Sequence, residues 1–215
     1  YLLKNKIIVV ATNGIEHGGE ATNKNVPWTG IGKIIVSDIE FTEKEITIKN
    51  SKVYNPFSCT HHHHINDLCM YNDSLYLSAH TYCNGEKFLK KGILAKLDKN
   101  FQASMLIDKL EQPHSPYVHR NKIFVCSSAI AAVMSIEMEQ KKVKLEYKGV
   151  DAYTRALLVT DKYLHIGISF SVGRTKSTFT NQTSGLLKFD RNIGTITHVQ
   201  LPKGCNNIYA ITSMQ

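Results

Sequence analysis

Apolar and polar residues alternate at period two along most of the chain, in short runs separated by Asn, Asp and Gly. That pattern predicts half-buried β-strands joined by turns and disfavours helix pairs. The runs also repeat. Leu68-Cys69-Met70-Tyr71-Asn72-Asp73-Ser74-Leu75-Tyr76-Leu77 lies over Pro116-Tyr117-Val118-His119-Arg120-Asn121-Lys122-Ile123-Phe124-Val125 without a gap, each predicting a strand, a turn built on Asn and a second strand. A third copy runs over residues 156–159, a turn at 160–162 and a strand at 163–168. Third strands are expected at the near-identical segments Gly92-Ile93-Leu94-Ala95-Lys96-Leu97-Asp98-Lys99-Asn100 and Gly185-Leu186-Leu187-Lys188-Phe189-Asp190-Arg191-Asn192, and fourth strands at 104–110, 143–147 and 194–199.

Units of about 40–50 residues with four short strands each predict the blades of a β-propeller. Residues 207–214 read as a first strand without later partners, while residues 6–12, 33–41 and 45–49 read as second, third and fourth strands without a first. Joined, they would complete one blade and close the ring, which removes exposed sheet edges. The expectation is an all-β, single-domain propeller over residues 1–215, with four blades, or five if two short units are merged or residues precede Tyr1. An open antiparallel sandwich is the competing architecture.

The length of 215 residues suits one all-β domain with a sizeable core. No run reaches the roughly 18 apolar residues of a membrane span, and the Lys-interrupted opening reads as a strand rather than a signal peptide, a leader removed upstream of Tyr1 being left open. Five cysteines without a CxxC pair point to a reducing compartment, by default the cytoplasm. Cys69 and Cys126 read as small buried strand residues. The net charge of +8 raises nucleic acid as a partner. The lysines are scattered, however, with no arginine-rich run and no RNA-recognition stacking motif, so a solvated basic surface is the better reading. Oligomeric state is not legible.

Each predicted first strand opens on polar residues: His64-Ile65-Asn66-Asp67, Pro113-His114-Ser115-Pro116, Tyr153-Thr154-Arg155-Ala156 and Asn206-Asn207-Ile208-Tyr209. First strands line a propeller's channel, and the loops between second and third strands share the same mouth, so the repeat would gather these residues at one place. Long polar loops at 11–32 (with His17 and Trp28), 81–91 (with Tyr82) and 170–184 (with Arg174 and Phe179) would form the rim, and the short one near 127–131 an open side. His64 and His114 are candidate acid/base groups because imidazole titrates near neutrality. Asp67 would orient a His or hold a metal, and Arg155 offers a forked cation for a carboxylate or phosphate. Ser115, Thr154 and Asn66 would supply hydrogen bonds to the ligand, with His17, Arg174 and Tyr82 from the rim. The competing reading has Asp67, Ser115 and Thr154 satisfying backbone groups, and Arg155 paired with Asp67 or Asp151.

In extended chain His62 and His64 of the run His61-His62-His63-His64 share a side with Asn66. They could bind a divalent ion such as Zn, Cu, Ni, Fe or Ca. The spacing matches no specific metal motif, and polar loop histidines or acid/base groups stand as the other readings. Ser115 lacks a nucleophile elbow, which argues against a serine hydrolase.

The segments Gln112-Pro113-His114-Ser115-Pro116, Tyr153-Thr154-Arg155-Ala156-Leu157 and Tyr163-Leu164-His165-Ile166-Gly167-Ile168-Ser169 resemble those of an uncharacterised bacterial domain-of-unknown-function family with propeller-like repeats. That family's pattern is Pro-His-Ser-Pro, Thr-Arg-Gly-Leu and a Val-Gly-x-Ser strand, with Ala156 here for its glycine and Ile166 for its valine. The resemblance covers roughly residues 60–210. It implies the propeller and draws attention to His114 and Arg155, but it carries no activity.

Two functional classes follow. One is an enzyme, a hydrolase, lyase or isomerase, acting on a small anionic or sugar-like substrate by acid/base or metal-assisted chemistry. It requires His64, His114, Asp67 and Arg155 around one pocket. The other is a non-catalytic propeller that binds a ligand, glycan or protein through its top-face loops. Since propellers host both, the fold does not choose between them.

Overall fold

The computed structural model describes residues 2–3, 5–11, 32–57, 64–84, 87–89, 92–149, 152–169, 184–202, 205, 208 and 210–212. The protein is all-β, with four antiparallel sheets and, among the described residues, no α-helix. Two compact units, Tyr1–Lys109 and Leu110–Gln215, each hold two sheets.

In the first unit, β1 (Leu2–Leu3), β2 (Lys6–Ala11), β3 (Lys33–Phe41) and β4 (Ile46–Tyr54) form one sheet in that order. The second sheet runs β5 (His64–Tyr71), β6 (Ser74–Asn84), β8 (Gly92–Leu97) and β9 (Ala103–Leu110), with β7 (Lys87–Leu89) added to the far end of β6. Asn72 and Asp73 both take left-handed backbone, φ 45° and 53°. Their short side chains tolerate that conformation, and it matches the twist of a two-residue hairpin. Ile8, Ile34, Ile65, Leu77, Ile93 and Ala95 alternate inward to make the core of this unit.

In the second unit, β10 (Pro113–His119), β11 (Lys122–Ser127), β12 (Ala132–Glu137) and β13 (Lys142–Lys148) form one sheet. β14 (Tyr153–Val159), β15 (Tyr163–Ser169), β16 (Gly185–Asp190) and β17 (Ile196–Gln200) form the other. β14 packs against β10 and β11, so Phe124, Cys126 and Val133 meet Leu157, Leu164 and Ile166 in one core. In each of these two sheets the last strand is the exposed one. β14 is almost wholly buried and β17 wholly exposed. The near-identical third strands end alike: Asp98 Oδ1 accepts hydrogen bonds from the amides of Asn100 and Gln102, and Asp190 Oδ1 from those of Asn192 and Ile193. The repeated aspartate is thus a turn-forming group.

The four-strand units expected from the repeat are present as four sheets. Three expectations are corrected. The first sheet has its own opening strand, since Leu2 and Leu3 turn back onto Ile7 and Lys6. The expected loop at 81–91 is instead a hairpin, with Tyr82, Cys83 and Asn84 of β6 paired to Leu89, Phe88 and Lys87; period-two patterning is hard to see in so short a strand. The strand expected at 207–214 does not occur at its described positions, 208 and 210–212. Ile208 instead packs against Gly167, where a Cβ would come within 2.8 Å of it, and its amide donates to Ser169 Oγ. No helix among the described residues is long and apolar enough to cross a membrane.

Candidate functional site

The polar openings coincide with irregular pairing. Between Ile65 and Asp67 the register skips Asn66, between His114 and Tyr117 it skips Ser115 and Pro116, and between Thr154 and Ala156 it skips Arg155. A bulge breaks the strict alternation of a strand and redirects a side chain, which is why bulges collect beside binding sites. Alternation alone had placed His64 and Asn66 on one face, and the shifts at His64, Ile65 and Asp67 remove the basis for that placement.

In the second unit the openings of β10 and β14 come together. Gln112 and Ser115, on either side of His114, have φ of 52° and 50°. Left-handed backbone is uncommon for residues with a side chain and is maintained only by surrounding contacts. Those contacts are visible. His114 Nδ1 lies 2.9 Å from the carbonyl oxygen of Gln112 and 2.9 Å from Ser128 Oγ. The Ser128 hydroxyl in turn donates to the carbonyl of Thr154. A carbonyl can only accept, and a hydroxyl that has given its proton away accepts from its other neighbour. Both partners therefore require the proton on Nδ1, and the neutral ring carries its lone pair on Nε2.

Tyr153 joins this group to the next. Its hydroxyl donates to Gln112 Oε1. The His114 ring stands edge-on to it at 5.6 Å, and the Arg155 guanidinium lies 5.1 Å from the ring centroid. Arg155 is only 8 % exposed. A guanidinium so far from water is costly, and the tyrosine face offsets part of that cost. Ser115 Oγ donates to the carbonyl of Arg155, and Thr154 Oγ1 to that of Ala132 at 3.4 Å. These two hydroxyls hold β14 against the neighbouring sheet. The arrangement therefore consists of one imidazole in a fixed tautomer, one buried cation and a scaffold of hydroxyls satisfied by backbone.

His64, Asn66 and Asp67 belong to the first unit. All three are half-buried. Asp67 Oδ1 accepts from the amide of Leu68, and the His64 ring meets that of His80 edge-on at 6.3 Å. Asp67 has a further effect, since its charge adds to burial in raising the Cys69 thiol to about 12, which leaves no thiolate nucleophile there. Among the described residues no three His, Cys, Asp or Glu side chains gather as a metal site. His17, His62, Trp28, Arg174, Phe179, Asp151, Asn206 and Asn207 lie outside the described residues, as does the side chain of Tyr82.

Sequence reasoning passed over Gln112, Ser128 and Tyr153 as site residues. Tyr153 stands within a polar opening and was legible by position. Gln112 and Ser128 act through a backbone turn and a single 3-10 turn (Ser128–Ile130), features with no repeat signature.

A family model described as Domain of unknown function (DUF4915) matches residues 58–215, the span that carries the Pro-His-Ser-Pro and Thr-Arg segments. No curated protein matches the chain.

Proposed function

The chain belongs to the DUF4915 family, and from that premise, which brings no activity with it, we propose a small-molecule enzyme whose site is the paired opening of β10 and β14. His114 Nε2 takes or gives the proton, and Arg155 anchors an anionic or sugar-like substrate; the reaction is a hydrolysis, elimination or isomerisation. The observation that carries this reading is the fixed imidazole. The carbonyl of Gln112, whose backbone is left-handed, and the Ser128 hydroxyl both take up Nδ1–H, and the Thr154 carbonyl fixes that hydroxyl in turn. The proposal keeps the four-bladed ring that the repeats predict. In that ring His64 and Asp67 would join the same mouth, His62 and His64 being the metal ligands if an ion takes part. Cys69, Cys126 and Cys205 are thiols outside any disulfide, which suits a reducing compartment such as the cytoplasm.

A second reading, a non-catalytic binder, draws on the same hydroxyls, because Ser115, Ser128 and Thr154 are all engaged by carbonyls and not turned to a ligand. His114→Asn separates the two. Asparagine keeps a donor where Nδ1–H stood and deletes Nε2. With a panel of sugar lactones, sugar acids and phosphorylated sugars followed by NMR, the enzyme reading expects turnover of one class. His114→Asn should abolish that turnover at unchanged folding, and Arg155→Gln should raise KM. Binding without turnover in the wild type, or full turnover in His114→Asn, would sink it.

A further inference from the structure

At the other end of the same two sheets lies a cleft of about 490 Å3. Its walls come from the β10–β11 turn, β11, β13, the β14–β15 turn and the β16–β17 turn, all within the second unit. From His114 to His119 along β10 is five residues, roughly 16 Å of strand, so this cleft is separate from the site above.

The cleft is built on carboxylates that each engage two basic side chains. Asp161 accepts from His119 Nε2 at 2.8 Å and from Arg120 at 2.7 Å. Glu146, 7 % exposed, lies 3.4 Å from Lys144 and 3.6 Å from Arg191, and takes a hydrogen bond from Ser135 Oγ at 2.7 Å. Arg191 is further fixed by the carbonyls of Thr160 and Asp161. Arg120, Lys122, Lys144 and Arg191 thus face two carboxylates in the lining. Even with Lys122 drawn to Glu137 at 2.7 Å, three permanent cations remain against two anions. Positive charge is left over, and the fixed donors of Arg191 and Arg120 suit a tetrahedral or planar oxyanion.

The rest of the ligand is constrained by what the walls lack. Phe124 is the apolar lining residue, but it is 1 % exposed, its ring covered by Arg191 at 5.2 Å and approached by His119 at 6.4 Å. The Phe124 ring therefore offers no open face for a base or an aromatic ring to stack upon. The side chains of Asn121 and Asn192 at the rim are polar. The volume exceeds that of a lone phosphate and falls in the usual range of about 300–1,000 Å3 for small-ligand sites. We infer that this cleft is a second binding site, for a phosphate monoester with a polar, non-aromatic body such as a sugar phosphate.

The test is isothermal titration of the full chain with glucose 6-phosphate, inorganic phosphate and glucose at low salt. The ester should bind more tightly than phosphate, glucose should not bind, and the affinity should fall as salt screens the cations. Arg120→Gln with Lys144→Gln, whose side chains are 70 % and 64 % exposed, should weaken binding by about tenfold, as loss of charge-assisted hydrogen bonds requires. Amide shifts at Arg120, Asn121, Arg191 and Asn192, in place of shifts at His114 and Arg155, keep this result independent of the site at the openings. Amide shift mapping on the wild type covers the case of an unstable double variant: shifts centred on Arg120, Asn121, Arg191 and Asn192 support the site. No binding of the ester, an ester no tighter than phosphate, undiminished binding in the double variant, or shifts elsewhere would each overturn it.

Discussion

The second unit carries a polar cluster at each end of its paired sheets, and the two are built on opposite principles. At the openings, His114, Ser115, Ser128 and Thr154 spend their hydrogen bonds on backbone carbonyls, and the one permanent cation, Arg155, is buried against Tyr153. At the turns, Asp161, Arg120, Lys144 and Lys122 are half- or fully exposed and meet as ion pairs. The first cluster fixes geometry, because each buried group left unpaired would cost free energy. The second stores charge, because exposed pairs hold each other weakly and can be shared with an arriving anion. A reacting atom needs the first kind of environment and an exchangeable anion the second.

The largest expected effect lies at Ser128. Ser128→Ala leaves His114 Nδ1 with a single acceptor and deprives the Thr154 carbonyl of its donor in a fully buried position. The expected loss is about 1–3 kcal/mol of stability, read as a lower urea midpoint with unchanged slope. A neutral result would mean that the openings are no more tightly built than the turns, and the contrast would fall.

The sequence made one half of this contrast visible. His114, Thr154 and Arg155 stood out because the repeat aligns strand openings, and repeats are preserved by shared strand geometry. The four-strand units were legible for the same reason. What the pattern could not show was the bulges at Asn66, Ser115 and Arg155, which depend on partner register, or the 81–91 hairpin, whose paired run is too short for alternation to show. The cationic cleft was hidden differently. Its residues sit in turns, where Arg120, Asp161 and Arg191 look like the ordinary polar punctuation between strands, and only the packing of β10 against β14 brings those turns side by side.

Glu146→Gln tests the better-protected part of the turn cluster. The side chain is buried, so the change weakens hydrogen bonds from Ser135 and the pairs with Lys144 and Arg191 together. A loss of about 1–2 kcal/mol is expected, below that of Ser128→Ala if buried neutral geometry dominates.

The turn cluster should also announce itself in acid. Burial pushes the Glu146 carboxyl up, but the Ser135 hydrogen bond and the charges of Lys144 and Arg191 outweigh it and hold the group below its ordinary 4.5. Asp161 is held below 3.8 by its hydrogen bonds from Arg120 and then His119. A depressed folded value means stability that is fully present above the ordinary value and is lost as pH falls through the folded one. Urea midpoints should therefore be level from neutral pH to about 4.5 on this account, and decline below it. Glu146→Gln should flatten that decline, while Ser128→Ala should shift the whole profile down without changing its shape.

The smallest effect is expected at Asp161. Its pairs with His119 and Arg120 are solvent-exposed, where screening and side-chain entropy cancel most of the attraction. Asp161→Asn should leave the urea midpoint at neutral pH where it was. The same change releases Arg120 and adds one unit of positive charge to the cleft, so anion binding should strengthen even as stability stays level. That combination is what separates stored charge from structural pairing. If Asp161→Asn lowered stability as Ser128→Ala does and left anion affinity unchanged, the turn cluster would be a structural network like the openings, and the division of labour between the two ends would be gone.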